Sequence, residues 1–207
     1  MRPAPGNEFS IAIADHLAVV DALHAQCADL QSIADCMTNA LCNGNKILWC
    51  GNGGSAADAQ HLAAELVGRF RRERRGMAGV ALTTDTSILT AVANDYGYDT
   101  IFERQVEAIG SAGDVLVGIS TSGNSLNIAN AIEKASAMGL WTVAFTGRGG
   151  GRIARIAHYV LAVASSDTAR IQEVHILAGH LLCDWVEQHV PVFLETHALP
   201  AIAAIKG

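Results

Sequence analysis

The chain has 207 residues, half of them hydrophobic, and only 16% of them are charged. This length suffices for one globular domain with a large core, and the small charged fraction favours additional burial between subunits. The net charge of −6 argues against a general nucleic-acid-binding protein, which normally has a basic excess.

The cysteines and the hydropathy predict a cytoplasmic protein. The five cysteines are odd in number and contain no C-x-x-C pair, which is typical of reduced thiols in the cytosol. Residues 1–10 lack the features of a signal peptide, and no uncharged apolar stretch of about 20 residues predicts a transmembrane helix. The one basic run, Arg69–Arg75, is interpreted as the solvated end of a helix. We therefore expect neither a membrane nor a nucleic acid as a partner.

The predicted elements change in character along the chain. From about Glu8 to Leu41, apolar residues recur at helical spacing without Gly or Pro, and Asn43-Gly44 ends the segment. This segment is expected to pack outside the main sheet, with a partner subunit as the natural contact. Strands are predicted at residues 46–50, 79–82, 114–119, 141–146 and 159–164. Helical segments alternate with these strands, which predicts a three-layer α/β fold with a mostly parallel sheet.

The same pattern suggests a division of the chain into three parts. Residues 1–45 are predicted to be an N-terminal helical segment used in oligomerisation. Residues 46–190 form the predicted ligand-binding domain. Residues 191–207 form an apolar C-terminal tail, expected to be partly ordered at best.

Two loops that follow predicted strands have the composition of phosphate-binding loops. Residues 51–55 read Gly-Asn-Gly-Gly-Ser and precede a helix, whose N-terminal N–H groups favour an anion. Residues 120–125 read Ser-Thr-Ser-Gly-Asn-Ser and bring four hydroxyl groups to the start of another helix. Ligands of open α/β sheets bind at the carboxyl ends of the strands, so the two loops together predict a phosphorylated small ligand. Helix caps and turns are the alternative interpretation of such a hydroxyl-rich loop.

Nucleotide sites fit these loops poorly. The chain lacks the Gly-Lys-Ser/Thr sequence of nucleoside triphosphatases. The first loop also departs from the Gly-x-Gly-x-x-Gly spacing of dinucleotide-binding folds. We therefore expect no nucleotide cofactor.

A histidine and a glutamate follow the first loop on the same predicted helix. His61 and Glu65 are four residues apart and therefore lie on one helical face. An imidazole and a carboxylate so placed can share a metal ion or can divide acid and base work. An ordinary surface pair is the alternative, but the position next to a phosphate loop favours a functional role.

A second helix, from Arg170 to about His189, is apolar on most sides and is predicted to be buried. Gln172 and His180 lie within one quadrant of its helical wheel. They are separated by roughly 12 Å along the axis, so both side chains must lean together to share one metal ion. The alternative for His180 is a hydrogen-bonded core histidine.

Six longer motifs follow one another along the chain in an order that is specific for one protein family. They are Asn43–Lys46, Cys50–His61, Glu65-Leu66, Asn94-Asp95, Ser120–Ser125 and Arg170–His175. Through them the chain resembles the sedoheptulose-7-phosphate isomerases, also called phosphoheptose isomerases, which have a sugar isomerase (SIS) domain. The resemblance implies a flavodoxin-like sheet and a homotetramer with active sites between subunits. It also implies conversion of D-sedoheptulose 7-phosphate to D-glycero-D-manno-heptose 7-phosphate, the first step toward the heptose of lipopolysaccharide.

The resemblance also implies roles for individual residues. Phosphate is expected at Ser55, Ser120, Thr121, Ser122 and Ser125. The sugar is expected at Asn52, Gly53, Gly54, Asn94, Asp95 and Gln172. Zinc is expected at His61, Glu65, Gln172 and His180, with Glu65 and His180 also the catalytic pair. A cis-enediol is the expected intermediate.

Two alternatives and one departure accompany this interpretation. A tetrameric scaffold that binds the replication initiator DnaA has the same fold, but it lacks the acidic residue at Glu65 and the histidine at His180. The presence of both residues here favours the enzyme. An isomerase that serves capsule or secondary-metabolite heptose is the other alternative. Some family members carry an acidic residue where this chain has Ala169, so a ring-opening role for that carboxylate is in doubt here, since Asp167 is displaced from it.

Overall fold

The computed structural model describes residues 7–191 and contains a five-stranded sheet with helices on both faces. The strands are β1 Ile47–Gly51, β2 Gly79–Ala81, β3 Val115–Ser120, β4 Trp141–Thr146 and β5 Tyr159–Ala162. The helices are α1 Asn7–Ala22, α2 Cys27–Cys42, α3 Gly54–Val67, α4 Thr86–Tyr96, α5 Ile101–Ile109, α6 Leu126–Ala137 and α7 Thr168–His189. None of these helices is long and apolar enough to cross a bilayer.

The sheet is parallel throughout, with the strand order β2-β1-β3-β4-β5. This is the flavodoxin-like order, in which β1 and β3 are neighbours at the point where the order reverses. All six residues of β3 are buried, as expected for a central strand covered on both faces. The predicted α/β class and the parallel sheet are therefore confirmed.

Two apolar cores lie on the two faces of the sheet. One contains Trp49 with residues of α2, α3 and α7, and the other contains Leu48 with residues of α5 and α6. Consecutive residues of β1 thus point into different cores, which follows from the two-residue period of a strand. The three layers of the predicted architecture arise from this alternation.

The N-terminal segment is divided between the core and the surface. Ile33 and Met37 of α2 are fully buried in the core beside the sheet, so the expectation that this segment packs outside the sheet does not hold for α2. In contrast, Phe9, Ile13 and Leu17 of α1 are exposed. The domain boundaries at residues 45 and 190 stay predictions, and the tail from Val192 onward lies outside the described residues.

Helix α7 is fixed at its start by polar contacts. The side chain of Asp167 accepts a hydrogen bond from the Ala169 N–H at 2.8 Å and caps the helix. The carboxylate of Glu173 pairs with Arg170, and its Oε2 lies 2.7 Å from Nδ1 of His16 in α1. These contacts join α1 to α7 and give Asp167 a structural role.

A buried histidine also holds α7 to the sheet. His175 is fully buried, and its Nε2 lies 3.1 Å from the carbonyl oxygen of Thr146 at the end of β4. A carbonyl oxygen only accepts hydrogen bonds, so Nε2 carries the proton. Burial lowers the pKa of His175 to about 4, and the hydrogen bond to Thr146 offsets this only in part.

This lowered pKa predicts that the folded protein becomes less stable as the pH falls through about 6. The unfolded chain binds a proton at His175 below about pH 6.5, whereas the folded chain binds it only near pH 4. The free energy of unfolding should therefore fall by about 2 kcal/mol through His175 between pH 7 and pH 5. Urea unfolding at both pH values measures the change, and the His175→Gln variant should show a shallower dependence. An identical dependence in both proteins would contradict this assignment.

Candidate functional site

The first predicted phosphate loop, residues 51–55, is a tight turn between β1 and α3. Gly53 has a φ of +57°, and the Ser55 N–H donates to the carbonyl oxygen of Asn52 at 3.0 Å. A Cβ atom on Gly51 would lie 2.5 Å from the carbonyl oxygen of Ser55, so the turn closes only with glycine at this position. The N-terminal N–H groups of α3 consequently face the carboxyl edge of the sheet, where an anion can bind.

The second loop brings hydroxyl groups together between β3 and α6. The Oγ atoms of Ser120 and Ser125 lie 2.9 Å apart, and those of Ser120 and Ser122 lie 3.5 Å apart. Ser125 is the N-cap residue of α6, but its hydroxyl makes no capping hydrogen bond. Its hydroxyl instead pairs with that of Ser120, so the hydroxyl groups of the loop form one cluster at the start of α6. Because β1 and β3 are adjacent, with Gly51 opposite Ile119, the two loops emerge side by side.

A histidine–glutamate–histidine cluster stands between α3 and α7. His61 and His180 approach to 2.8 Å between their Nε2 atoms, and Nε2 of His61 lies 3.3 Å from Oε1 of Glu65. The possible ligand atoms of all three residues lie within 4.8 Å of one another. Burial lowers the pKa of His180, assisted by His61 and opposed by Glu65. The His180 imidazole is therefore neutral at pH 7 and able to bind a metal or accept a proton.

The donor set of this cluster fits a divalent metal ion. Two imidazole nitrogens and a carboxylate oxygen are ligands of zinc, iron or manganese. The facing Nε2 atoms of His61 and His180 share a single proton at most, so at least one of them presents a lone pair. A cation that accepts both lone pairs would take the place of this hydrogen bond.

Gln172 of α7 lies against the N-terminal end of α3, away from the cluster. A Cβ atom on Gly54 would meet its Nε2 at 2.7 Å, so the amide covers the first residue of the helix. One face of α7 thus follows α3, since Gly179 packs on Leu62 two turns further along. Gln172 therefore lies beside the first loop, about 10 Å before His61 along the axis of α3. Its separation from His180 along α7 still makes it difficult for both side chains to bind one metal ion.

Comparison with known proteins identifies the family. The SIS domain family matches residues 13–147. A phosphoheptose isomerase from Aquifex aeolicus (strain VF5) is 59% identical over 168 residues, which are 81% of this chain and 87% of that protein. The chain belongs to the phosphoheptose isomerase family. A member from Geobacter sulfurreducens is 55% identical over 83% of this chain and 92% of its own length.

Solved structures of the family share this fold. Phosphoheptose isomerase GmhA from Neisseria gonorrhoeae aligns with a TM-score of 0.84 at 46% identity, over 88% of this chain and 98% of that one. The phosphoheptose isomerase from Francisella tularensis gives 0.85 at 36% identity, over 88% and 97%. The relatives are named as isomerases, so the prediction that this chain is an isomerase is confirmed.

Asn52 is held by two residues that sequence reasoning did not identify. Its amide exchanges two hydrogen bonds of 2.9 Å with the amide of Asn127 in α6, and its Oδ1 accepts a 3.0 Å bond from the Tyr98 hydroxyl. Asn127 is buried, and a polar residue at an apolar helix position next to a phosphate loop is the signal that could have identified it. No comparable sequence signal identifies Tyr98.

Asn94 and Asp95 lie in the last turn of α4 and are exposed. The Asn94 amide donates to Oδ1 of Asp95 at 2.8 Å. Within residues 7–191, no side-chain hydrogen bond joins either residue to the two loops or to the histidines. Their predicted contact with the sugar stays a prediction.

The basic run differs from its sequence interpretation. Helix α3 ends at Val67, and the run follows it as an irregular segment instead of forming the helix end. Arg74 is buried against Glu187 of α7, with Nε and Oε1 3.1 Å apart. Phe70 of the same segment stacks on the His180 ring at 5.4 Å between centroids. The prediction of a solvated helix end was therefore wrong for Arg74, because a carboxylate distant in sequence neutralises it.

Proposed function

We propose that the chain converts D-sedoheptulose 7-phosphate to D-glycero-D-manno-heptose 7-phosphate with the help of a bound divalent metal, zinc. The observation that carries this proposal is the arrangement on α3, which begins at the proposed phosphate loop and carries His61 about two turns later and Glu65 about three turns later. The first helical residue and His61 are about 10 Å apart along the axis. An open-chain heptose phosphate has its phosphate and its reacting carbons at opposite ends, which suits this separation.

The phosphate binds at the carboxyl edge of the sheet. The N–H groups of α3 and the hydroxyls of the loop between β3 and α6 supply the donors. The contact residues are Ser55, Ser120, Thr121, Ser122 and Ser125. Asn52, Gly53 and Gly54 face the sugar between this site and the cluster. Asn94, Asp95 and Gln172 complete the sugar contacts.

Glu65 and His180 carry out the proton transfers. Glu65 takes the proton from C1 of the open-chain ketose, which produces a cis-enediol, and returns a proton to C2. Its Oε1 faces His61, while Oε2 makes no hydrogen bond within residues 7–191 and is free for the substrate. The neutral His180 imidazole accepts the proton of the C1 hydroxyl and donates a proton to the oxygen on C2.

The residues proposed to hold the metal are His61, Glu65, Gln172 and His180. When bound, the metal supplies a Lewis acid that polarises the substrate carbonyl. The three residues brought together in the cluster support this ligand set. Gln172 belongs to the proposed set by the resemblance, and its amide, which lies against Gly54 in this structure, would have to move toward the cluster to bind the same ion.

The assembly, the location and the pathway are also proposals. Apolar side chains exposed on α1, among them Phe9, Ile13 and Leu17, support a homotetramer in which this helix is covered. Five free cysteines support a reducing cytoplasm. The product serves the synthesis of lipopolysaccharide or capsule heptose.

The test is turnover of sedoheptulose 7-phosphate by the purified protein, with coupled detection of the heptose phosphate. Activity should disappear on chelation and return with zinc, because the polarising cation is then restored. Incorporation of solvent deuterium at C2 of the product should accompany turnover, as expected for an enediol. A hydride shift would instead exclude solvent deuterium.

The opposite outcome is equally informative. A folded tetramer that shows no turnover with zinc, iron or manganese would contradict the proposed reaction. It would favour the scaffold alternative, and a search for a protein partner would follow.

A further inference from the structure

A buried ion pair joins the segment after α3 to α7. The side chains of Arg74 and Glu187 are 5% and 1% exposed, and Nε lies 3.1 Å from Oε1. Burying two charges is costly unless each one is paired and fully hydrogen-bonded. The contacts of the two groups therefore indicate what the pair holds in place.

Glu187 binds the backbone of the segment. Its carboxylate accepts hydrogen bonds from the N–H groups of Phe70 at 2.9 Å, Arg71 at 2.8 Å and Arg72 at 2.9 Å. Burial alone would raise the pKa of Glu187, but these bonds and the Arg74 charge outweigh it and lower the pKa. The carboxylate thus stays charged and fixes three consecutive residues.

Arg74 binds the end of α3. Its guanidinium donates to the carbonyl oxygens of Glu65 at 2.7 Å, Leu66 at 2.8 Å and Gly68 at 3.3 Å. The last carbonyls of a helix lack partners within the helix, and the guanidinium satisfies them. The pair therefore ties together the turn that carries Glu65, the segment that carries Phe70, and α7.

Phe70 transmits this placement to the site. Its ring stacks on the His180 ring at 5.4 Å and 21°, and the guanidinium of Arg71 lies 5.0 Å from the Phe70 centroid. Nε2 of His180 in turn faces Nε2 of His61. We propose that Arg74 and Glu187 are positioning residues, which hold Phe70 against His180 and so fix the imidazole orientation required at the cluster.

This inference rests on the proposed function, because it assigns the pair to the geometry of the metal and proton-transfer site. Glu187→Gln is the main variant, since it keeps the shape of the side chain but removes the charge. Asp114→Asn is the matched control. Asp114 is also a buried carboxylate, which accepts from the N–H groups of Lys46 and Ser111 and pairs with the Lys46 amine at 2.6 Å. It precedes β3 and therefore lies at the amino end of the strands, and its partners Lys46 and Ser111 belong to neither of the helices that carry the cluster.

Two measurements separate positioning from stability. The first follows the histidine imidazole signals of the metal-free protein by NMR, with His180 assigned from the His180→Gln spectrum. The second measures Zn²⁺ affinity by competition with a chelating dye. Both carboxylate variants should lower the melting temperature, but only Glu187→Gln should shift the His180 signals and weaken Zn²⁺ binding by about 10- to 100-fold.

A second variant, Phe70→Leu, tests the inference independently if the Glu187→Gln protein does not fold. Phe70→Leu keeps a partly buried apolar side chain but removes the ring, and it should also shift the His180 signals. Unchanged His180 signals in Phe70→Leu, or in a folded Glu187→Gln protein, would overturn the inference. Failure of the wild-type protein to bind Zn²⁺ would instead count against the proposed metal, while the NMR result would still decide the positioning role.

Discussion

Glu65→Gln should reduce kcat by about 10³-fold, because the amide cannot accept the proton from C1 of the substrate. The substitution keeps the shape of the side chain and its position on α3, four residues after His61. Substrate affinity should therefore remain close to that of the wild-type protein. Steady-state kinetics and calorimetric titration with sedoheptulose 7-phosphate, at matched metal content, measure the two quantities.

Glu107→Gln provides the control for this prediction. Glu107 is exposed on α5, where its carboxylate lies 3.2 Å from Arg104, and it has no contact with the cluster. Its loss should leave kcat unchanged, as expected for a surface ion pair. Wild-type turnover in Glu65→Gln would exclude Glu65 as the base.

Gly123→Ala should disrupt the second phosphate loop. Gly123 has a φ of +69°, and a Cβ atom there would lie 2.1 Å from the carbonyl oxygen of Gly150 and 2.6 Å from Oγ1 of Thr146. Backbone strain of about 1–2 kcal/mol adds to about 1–3 kcal/mol for the overlap with rigid backbone. The free energy of unfolding should fall by about 2–5 kcal/mol, measured by urea unfolding, and the affinity for the sugar phosphate should fall with it.

Gly149→Ala separates the close approach from the strain of the backbone. Gly149 has a φ of +86°, but a Cβ atom there meets no other atom within 4 Å. This variant should cost only about 1–2 kcal/mol and should retain ligand binding. Equal losses in the two variants would show that Gly123 is required only for its conformation and not for the packing of the loop.

The local pattern of the sequence is sufficient to predict the strands of the sheet. The run 141–146 corresponds to β4 itself, and the other strands begin and end within two residues of their predicted bounds. These strands are buried on both faces, so continuous apolar runs bounded by Gly and polar residues mark them clearly. The two glycine-containing loops were predictable for a related reason, because Gly51, Gly53 and Gly123 are required by the backbone geometry, and glycine marks such positions in the sequence.

The cluster of His61, Glu65 and His180 was predictable only in part. The spacing of His61 and Glu65 places them on one helical face, which local geometry requires. His180 is 119 residues away in sequence, and its place opposite His61 depends on how α7 packs against α3. The resemblance to the family supplied this residue, whereas helical periodicity alone left a core histidine as an alternative.

Other features depend on tertiary structure alone. The pairing of Asn127 with Asn52 and that of Glu187 with Arg74 join residues more than 70 positions apart. Periodicity and turn composition report the conformation of neighbouring residues, and they contain no information about which distant side chain supplies a partner. The sequence by itself therefore determined the strands, the alternation of helices with them and the two glycine-containing loops. Only the packing of α3, α6 and α7 decided that Arg74 is buried and Phe70 covers His180, because a buried charge or ring is stabilised by partners from elements distant in the chain.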